Sequence, residues 1–396
     1  MSDRPVIRLR PKIDPRPLKR GFPWVYANQL VTDRRTKALA PGTVVTLEDA
    51  DRQALATATI NPNSKLIARV LDLDPTAEIG PDWLHRKVAR ALSLREALYN
   101  TPYYRLIHAE ADGLPGTVVD RFGDALVIQP NAAWIETLLP DFAAVLEDVT
   151  GAQTLVKNAQ GRARSLEGLD ETSALLKGQL DGPVPVPMNG ATYMADLEGG
   201  QKTGLFYDQR PNHAFVATLS QGCDVLDVFS HVGGFALAAL AIGANTALAV
   251  DGSEAALRLA EAGATASGVA DRFTTRKGDA FDVLTALGEE GRQFGSVICD
   301  PPAFAPTKAA RDAGLRAYEK IARLAAPLVA EDGFLTLCSC SGAADLAAFQ
   351  SASTRGIGRA GRSVQLLRVG AAGPDHPGLP ALAESGYLKT LTFRLS

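Results

Sequence analysis

The chain has 396 residues, of which 46% are hydrophobic and 21% are charged, and its formal net charge is −3. This length exceeds one ordinary hydrophobic core, so two or three domains are expected. No apolar run is long enough to cross a membrane, the N-terminal sequence lacks the apolar core of a secretory signal, and four cysteines without paired zinc-type spacing are typical of a cytoplasmic protein with free thiols and no metal.

The N-terminal 75 residues have the pattern of a small β-barrel. Short β-type runs at 6–10, 43–49, 54–61 and 66–72 are separated by Pro, Gly and Asn, as in a closed sheet with tight turns. Residues 1–40 also contain ten Lys and Arg against three Asp, so this stretch carries +7 and the remainder −10. Such asymmetry predicts a phosphate-binding module attached to an enzyme; a solvated basic arm is the alternative.

Residues 76–187 form a predicted α+β domain. Residues 81–100 have helical spacing of apolar side chains, and 105–130 are interpreted as three strands separated by the turns ADGLPG and RFGD. A helix around 134–148 and a strand at 154–158 follow. The Pro-rich stretch at 182–187 is predicted to be the linker into the last domain.

Residues 188–396 alternate between apolar strands and helices, which predicts a Rossmann-like α/β domain with a parallel, doubly wound sheet. Strands are expected at CDVLDVFS, TALAVDG, FTTRKGDA, SVICDPP, GFLTLCSCS and LKTLTFRLS. In such sheets the ligand binds beyond the carboxyl ends of the strands. The residues that follow each strand are therefore the candidate site.

The first strands of this domain predict a nucleoside-type site. Two glycines separate the first strand from its helix, and an acidic residue ends each of the next two strands, where it could bond ribose or lie by adenine. The pattern is not G-x-G-x-x-G, so no pyrophosphate cradle is evident; this favours S-adenosylmethionine over a nicotinamide dinucleotide. A helix N-cap is the alternative for each acid alone. The predicted cofactor-binding residues here are Asp227, Phe229, Ser230, Gly233, Gly234, Asp251, Gly252, Ser253, Asp279, Ala280 and Asp300.

The next two strands carry the predicted chemistry. Asp300 precedes Pro301 and Pro302, which stiffen the backbone and remove amide donors, and these residues with Phe304 would hold a flat base by hydrogen bonding and stacking. Cys340 follows the neighbouring strand, where its thiolate could add to C6 of a pyrimidine and activate C5, with Asp300 acting at N3. Cys338 shares its strand face but lies deeper; Cys223 and Cys299 are interpreted as packing residues.

These motifs resemble, nearly end to end, the three-domain bacterial class I methyltransferases that modify C5 of a cytosine in large-subunit ribosomal RNA. GFPWVYANQL is similar to the start of that family's RNA-binding PUA domain, RLIHAEADGLPGTVVDRFGDALVIQ to its central domain, and GQKTGLFYDQRPN, FSHVGGFAL, CDPPAF, SCSG and PDHPG to its later motifs. The resemblance implies that Cys340 is the nucleophile and that Asp300 lies at the base and methyl group. It implies donor-pocket roles for Lys202, Thr203, Asp208 and Arg210. Trp24 and Arg20, in the basic N-terminal barrel, are the predicted substrate contacts there.

Three positions depart from the family pattern. His231 and Val232 stand where the family has Tyr and Thr, and Ala303 replaces a frequent Lys. We interpret His231 as a turn residue. The DPP motif also lacks the Pro-Cys of other RNA cytosine-C5 enzymes, so Asp300, water or Cys299 would have to assist release of the product.

The sequence thus predicts an S-adenosylmethionine-dependent RNA cytosine-C5 methyltransferase that acts on ribosomal RNA in the cytoplasm. The alternatives are a methyltransferase for an exocyclic amine of adenine or guanine, which needs no thiol, and a non-catalytic RNA-binding assembly factor. A nicotinamide dehydrogenase is the least favoured. The sequence leaves open which nucleotide is modified, whether naked RNA or an assembling subunit is the substrate, and whether the chain forms a homodimer.

Overall fold

The structure is a computed structural model that describes residues 4–199 and 203–396. The chain divides into two compact units, each built from segments that are separate in sequence. The first unit comprises Met1–Asp181, Leu197–Gly204 and Pro374–Ser385, and the second comprises Gly182–Asp196, Leu205–Gly373 and Gly386–Ser396. The predicted boundaries of three domains, 1–75, 76–187 and 188–396, remain a prediction.

The first unit begins with a five-stranded sheet in which the strand order is β1-β3-β4-β5-β2. Leu9, directly after β1, forms an isolated antiparallel bridge with Leu30, which follows β2 in the chain. Buried side chains of this sheet and its helices form a hydrophobic core. These elements are β1 (Val6–Arg8), helix α1 (Arg16–Lys19), β2 (Trp24–Val25), helix α2 (Arg34–Lys37), β3 (Thr43–Glu48), β4 (Ala54–Ile60) and β5 (Ala68–Asp72).

A second five-stranded sheet of the first unit has the order β10-β9-β8-β7-β6. The predicted helix around 134–148 is two helices, because Pro140 lacks the amide that a continuous helix requires and instead occupies the first turn of the second one. The elements are α3 (Pro81–Leu98), β6 (Tyr103–His108), β7 (Thr117–Phe122), β8 (Ala125–Pro130), α4 (Ala133–Thr137), α5 (Leu139–Thr150), β9 (Thr154–Lys157), α6 (Arg162–Glu167) and β10 (Ala174–Lys177).

A buried polar network ties the late segment Pro374–Ser385 into the first unit. Arg95, which is fully buried, forms a bidentate pair with Asp112 at 2.7 Å for each bond and also donates to the Asp375 carbonyl at 2.9 Å. The Asp375 carboxylate accepts the Arg105 backbone amide at 3.0 Å. Because buried charges are stable only when they are paired and hydrogen-bonded, this late segment is part of the core of the first unit.

The second unit begins with a hairpin at the place where a linker was predicted. Strand β11 (Val184–Met188) pairs antiparallel with β12 (Ala191–Ala195). The prediction of a linker at 182–187 is therefore wrong for 184–187. Pro185 and Pro187 occupy the exposed positions of β11, while Val186 and Met188 are buried. Proline is tolerated in a strand at such an edge because its missing amide faces no partner.

The rest of the second unit is a seven-stranded sheet of order β15-β14-β13-β16-β17-β19-β18 with helices between its strands. Its elements are α7 (Arg210–Leu219), β13 (Asp224–Val228), α8 (Gly234–Ala241), β14 (Thr246–Asp251), α9 (Glu254–Ala266), β15 (Phe273–Lys277), α10 (Ala280–Glu289), β16 (Phe294–Cys299), α11 (Arg311–Ala325), β17 (Val329–Ser339), α12 (Leu346–Arg359), β18 (Val364–Gly370) and β19 (Lys389–Leu395).

The Rossmann-like α/β fold of this unit is confirmed, with one difference. β15, β14, β13, β16 and β17 are parallel to one another, whereas β19 runs antiparallel to both β17 and β18. The reversal follows from the connection between the last two strands, which has no crossover helix. The carboxyl ends of β13, β14, β16 and β17 consequently share one edge, and β19 begins at that same edge.

Candidate active site

The turn between β13 and α8 has an unusual backbone. Phe229 and His231 have φ of 62° and 50°, and Gly233 has φ of 80°. Left-handed conformations of bulky residues are strained and cluster where a backbone must be aimed at a ligand. The turn is fixed by hydrogen bonds, since the Ser230 amide donates to the Val250 carbonyl at 3.1 Å and the Gly233 amide to the Ser230 carbonyl at 2.8 Å. The ring of His231 packs on Phe206 with centroids 5.0 Å apart.

Gly234 is required for close packing. A Cβ there would lie 2.7 Å from Cε1 of His213 on α7, which is closer than side-chain atoms can approach. The buried His213 ring also contacts Phe235 with centroids 4.4 Å apart, and burial lowers the pKa of His213 to about 3. The glycine turn therefore packs directly against a neutral imidazole.

Asp227 is the next-to-last residue of β13, and its carboxyl group is fully buried. Its Oδ2 accepts the Ala236 amide at 3.0 Å, while Oδ1 has no hydrogen-bond partner among the described residues. Burial raises the pKa of Asp227 to about 7, and the charge of Asp251 acts in the same direction. A buried oxygen without a partner beside a glycine turn is the kind of group that a polar ligand satisfies.

Asp251, the last residue of β14, and Asp279, two residues beyond β15, accept hydrogen bonds from nearby backbone amides. Asp251 accepts the His231 amide at 2.9 Å and the Ser253 amide at 2.8 Å, and Ser253 caps α9. Asp279 caps α10 by accepting the Phe281 and Asp282 amides. Gly252 leaves space beside Asp251, since a Cβ there would meet nothing nearer than 3.9 Å. The cofactor-binding roles of these residues, and that of Ala280 in the first turn of α10, remain predictions.

Asp300 follows β16 directly, at the edge of the sheet next to β13. Its amide donates to the Val228 carbonyl at 3.1 Å, and its Oδ2 accepts Nε2 of Gln209 at 2.9 Å. Gln209 is itself buried and accepts from Asn212 at 2.7 Å. The sequence reasoning missed Gln209, although it lies between two residues of the GQKTGLFYDQRPN motif that were chosen.

The residues after Asp300 divide into exposed and packed positions. Pro301 is buried and Pro302 is exposed. Phe304 is half-buried in an aromatic cluster, with centroids 5.0 Å from Tyr318 and 6.2 Å from Phe281. Much of the Phe304 ring thus packs against helices, and its stacking on a base remains a prediction.

The four cysteines occupy different environments. Cys299 and Cys338 are fully buried, and burial raises the pKa of both thiols far above the ordinary range. Cys223 precedes β13, at the opposite end of the strands, and burial also raises its pKa. Cys340 lies one residue beyond β17 and is half-buried. Since β16 and β17 are adjacent and parallel, Cys340 and Asp300 follow neighbouring strand ends.

A hydroxyl network joins the Cys340 turn to the turn after Asp300. The Ser339 hydroxyl donates to the Tyr318 hydroxyl at 2.9 Å, and the Tyr318 and Ser341 oxygens lie 2.7 Å apart. The Ser341 hydroxyl also accepts the Ala305 amide at 2.9 Å. These bonds connect the two turns directly and fix the backbone on both sides of Cys340.

The residues of the GQKTGLFYDQRPN motif are distributed over the chain's two units. Thr203 belongs to the first unit, where its hydroxyl donates to Asp120 at 2.5 Å. Asp208 and Arg210 belong to the second; Asp208 accepts the Tyr387 hydroxyl at 2.6 Å, and the Arg210 guanidinium lies 5.4 Å from the Tyr207 ring centroid. Lys202 lies outside the described residues. Donor-pocket roles for all four remain predictions.

The predicted RNA-contacting residues Trp24 and Arg20 are in the first unit. Trp24 is half-buried and its Nε1 donates to Glu110 at 2.9 Å, while Arg20 is exposed. Part of the N-terminal positive charge serves the fold: Arg8 pairs with Glu48 at 2.9 Å, and Arg10 donates to the Leu30 carbonyl. The positive charge that residues 1–40 can present to a partner is therefore smaller than the +7 counted from the sequence.

The described part of the chain has neither a membrane-spanning helix nor a metal-binding cluster. No helix among residues 4–199 and 203–396 is both long and apolar enough to span a membrane. Over the same ranges, no cluster of three or more His, Cys, Asp and Glu side chains has an arrangement that could hold a metal ion.

Comparisons with known proteins identify two segments of the chain. Residues 7–73 match a PUA-like domain, and residues 136–394 match an S-adenosylmethionine-dependent methyltransferase. Ribosomal RNA large subunit methyltransferase I of Shewanella amazonensis is 33% identical over 398 residues, which cover 98% of this chain and 99% of that protein. Ribosomal RNA large subunit methyltransferase of Deinococcus radiodurans is 33% identical over 408 residues, covering 100% and 98%.

A solved structure of a methyltransferase complexed with SAH has the same fold. It superposes with a TM-score of 0.83 at 20% identity and covers 98% of this chain and 99% of that one. The predicted class I methyltransferase fold with an N-terminal PUA-like domain is thereby confirmed, as is the predicted cofactor. The glycine turn and the unpartnered Asp227 oxygen fit such a ligand, and the chain belongs to the S-adenosylmethionine-dependent methyltransferase family.

Proposed function

We propose that this protein methylates C5 of a cytosine in large-subunit ribosomal RNA through a covalent bond between Cys340 and C6 of the base. One observation carries the proposal: of the four cysteines, Cys340 alone is both partly exposed and located at the strand ends beside Asp300. The names of the relatives, which are ribosomal RNA large subunit methyltransferases, support the choice of RNA.

The thiol explains how an unreactive carbon becomes a nucleophile. As the Cys340 sulfur forms a bond to C6, the C5–C6 π electrons move onto C5 and, by conjugation, toward N3. C5 thereby becomes electron-rich. Asp300, held by Gln209, acts at N3, where a proton or hydrogen bond stabilises the added electron pair. After C5 gains the methyl group, a base removes the C5 proton, the C5–C6 double bond reforms, and the thiolate leaves.

The cofactor supplies the methyl group, and the glycine turn is the proposed place where it is held. Asp227 offers an unsatisfied buried oxygen, and Gly252 leaves open space by Asp251. Gly233 and Gly234 permit a close approach of the backbone. We assign to these residues the binding and orientation of the cofactor, next to the Asp300 turn that would hold the base.

The PUA-like domain is the proposed source of RNA affinity. Exposed cations such as Lys19 and Arg20 would neutralise phosphates, a contribution that weakens with salt and carries little sequence information. The target cytosine must leave its stack to reach Cys340, at a cost of a few kcal/mol. We therefore propose that the acceptor is unpaired or loosely structured RNA, encountered in the cytoplasm.

The covalent step is tested with ribosomal RNA containing 5-fluorocytosine, in which the C5 fluorine cannot be removed as a proton is. Wild-type protein with S-adenosylmethionine is expected to form a complex that survives denaturation, and C340A is expected to form none. C223A is the matched control, because Cys223 lies at the other end of the sheet, and it should trap RNA like the wild type. Full methylation by C340A would refute the covalent route.

The product is tested by mass spectrometry of ribosomal RNA from a strain that lacks the gene. Loss of one 5-methylcytosine, restored by wild type and not by C340A, is the expected result. Loss of a methylated adenine or guanine would support an exocyclic-amine enzyme instead. A normal pattern of methylation, together with no binding of S-adenosylmethionine in calorimetry, would support a non-catalytic assembly factor.

A further inference from the structure

Lys389 is a buried lysine that has no role in the mechanism proposed above. It is the first residue of β19 and pairs in register with Ser339 of β17. Only 9% of Lys389 is exposed. Because β19 is antiparallel to β17, its first residue lies at the same edge of the sheet as Cys340, although 49 positions separate the two in sequence.

The ammonium group of Lys389 is held by the turn that contains the nucleophile. Its Nζ donates to the Ser341 carbonyl at 2.8 Å. Within residues 4–199 and 203–396, no Asp or Glu oxygen lies within 4.0 Å of this nitrogen. A lysine at this depth normally has a carboxylate partner, because a buried charge without one is costly.

The electrostatic environment of Lys389 indicates a different partner. Burial lowers the pKa of Lys389, and the charges of Cys340 and then Asp345 act to raise it. The Asp345 carboxylate is occupied elsewhere, since it caps α12 and accepts from Arg311 at 3.3 Å. Tyr318, the other titratable group in contact with this turn, also responds to the charge of Cys340. Attraction between two charges is mutual, so an ammonium that is favoured by a thiolate favours that thiolate equally.

We propose that Lys389 is a positioning residue for Cys340, which fixes the turn through the Ser341 carbonyl and stabilises the thiolate form of the nucleophile. This inference rests on the proposed function, because it assigns Cys340 the covalent step. The reaction at this stage is simple: the Cys340 S–H bond gives its proton to solvent, and the resulting anion is neutralised by the ammonium. The sulfur electron pair is then available to attack C6.

Alkylation of Cys340 by iodoacetamide, followed over pH 6 to 10 by mass spectrometry of its peptide, tests the proposal without any methyl transfer. C340S identifies signal from other thiols. In K389M we expect the rate at pH 7 to fall about three- to tenfold and the midpoint of the profile to move to higher pH, as when a thiolate loses a nearby cation. K389R keeps the charge and is expected to retain most of the reactivity.

Two controls separate a charge effect from a change in packing. Y318F removes a hydroxyl from the same network without removing a charge, so its alkylation midpoint should stay within about 0.3 pH units of the wild type. K277M removes an exposed lysine that pairs with Glu254 and should leave the profile unchanged. If K389M and Y318F slow alkylation equally without moving the midpoint, Lys389 has only a structural role and the proposal is refuted.

The wild-type profile alone is also decisive. A Cys340 midpoint at or above that of an unperturbed thiol, about 8.5, would overturn the proposal even if K389M does not fold. Failure of this proposal can be distinguished from failure of the proposed function. If C340A retains methylation while K389M still shifts the alkylation profile, the role of Lys389 toward the thiol stands and the covalent route to 5-methylcytosine does not.

Discussion

Replacement of Gly234 by Ala would test whether the glycine turn is built on His213. The added methyl would lie 2.7 Å from Cε1 and 2.8 Å from Nε2 of that ring. The ring cannot move aside easily, because it is buried and lies next to the rings of Phe235 and Tyr193. The substitution should therefore disturb the glycine turn, the N-terminus of α8 and the His213 ring of α7 together.

The size of the effect follows from the overlap. Carbon atoms in contact sit about 3.5–4.0 Å apart, so the methyl is nearly 1 Å too close, and overpacking of this kind costs roughly 1–3 kcal/mol. We expect G234A to lose about that much stability and to bind S-adenosylmethionine more weakly. G252A is the matched control for stability, since its Cβ would meet nothing nearer than 3.9 Å, and it should change stability by less than about 0.5 kcal/mol.

The assay is a double-mutant cycle, read by circular dichroism during thermal unfolding and by calorimetry with S-adenosylmethionine. H213A alone should be destabilising because it leaves a cavity. In the H213A background the Gly234 substitution should cost nothing, or stabilise by up to about 1 kcal/mol, because Ala is the better helix former. Equal costs of G234A in the two backgrounds would refute the reasoning, because the ring would then not be what the methyl meets.

Two further substitutions test buried carboxylates. The pKa of Asp227 is raised from 3.8 to about 7, so between these values the folded protein keeps a proton that the unfolded chain releases. The stabilisation from this group is therefore present below pH 4 and is lost as pH rises to 7, by at most about 4 kcal/mol. D227N should lack this decline in the thermal midpoint, and parallel pH profiles of the midpoint for the two proteins would contradict the prediction. D375A should destabilise the first unit by about 2–4 kcal/mol. Tryptophan fluorescence during unfolding measures this, because Trp24, Trp83 and Trp134 all lie in that unit. A loss of stability below about 0.5 kcal/mol would contradict a stabilising role for the hydrogen bonds of Asp375.

The alternation of strands and helices in the second unit, and the location of the candidate residues near strand ends, could be predicted because parallel strands impose a simple sequence pattern. The apolar runs that contain or precede Asp227, Asp251 and Asp300 are β13, β14 and β16. Asp227 is the next-to-last residue of β13, Asp251 is the last residue of β14, and Asp300 directly follows β16. Cys340 and the DPP motif follow adjacent strands as expected. Local hydrophobic pattern carries this information, since a strand buried on both faces has no other compact arrangement.

The parts that could not be predicted depend on contacts between distant residues. Proline content indicated a linker at 182–187, but alternation of buried and exposed positions makes the stretch an edge strand. Gln209 has no motif of its own, and it becomes a partner of Asp300 only because the residue before α7 lies next to the residue after β16. Lys389 is likewise an ordinary strand residue until antiparallel pairing puts it beside the Cys340 turn.

The division of the first unit has a consequence for how the protein is made. Buried Arg95 and the Arg105 backbone amide both bond Asp375, which is translated about 170 residues after Gly204, the last earlier residue of the unit. At about 5–20 residues per second, the nascent chain waits roughly 9–34 s for this partner. During translation the N-terminal unit is therefore incomplete in its core, and it is finished only when nearly the whole polypeptide has emerged.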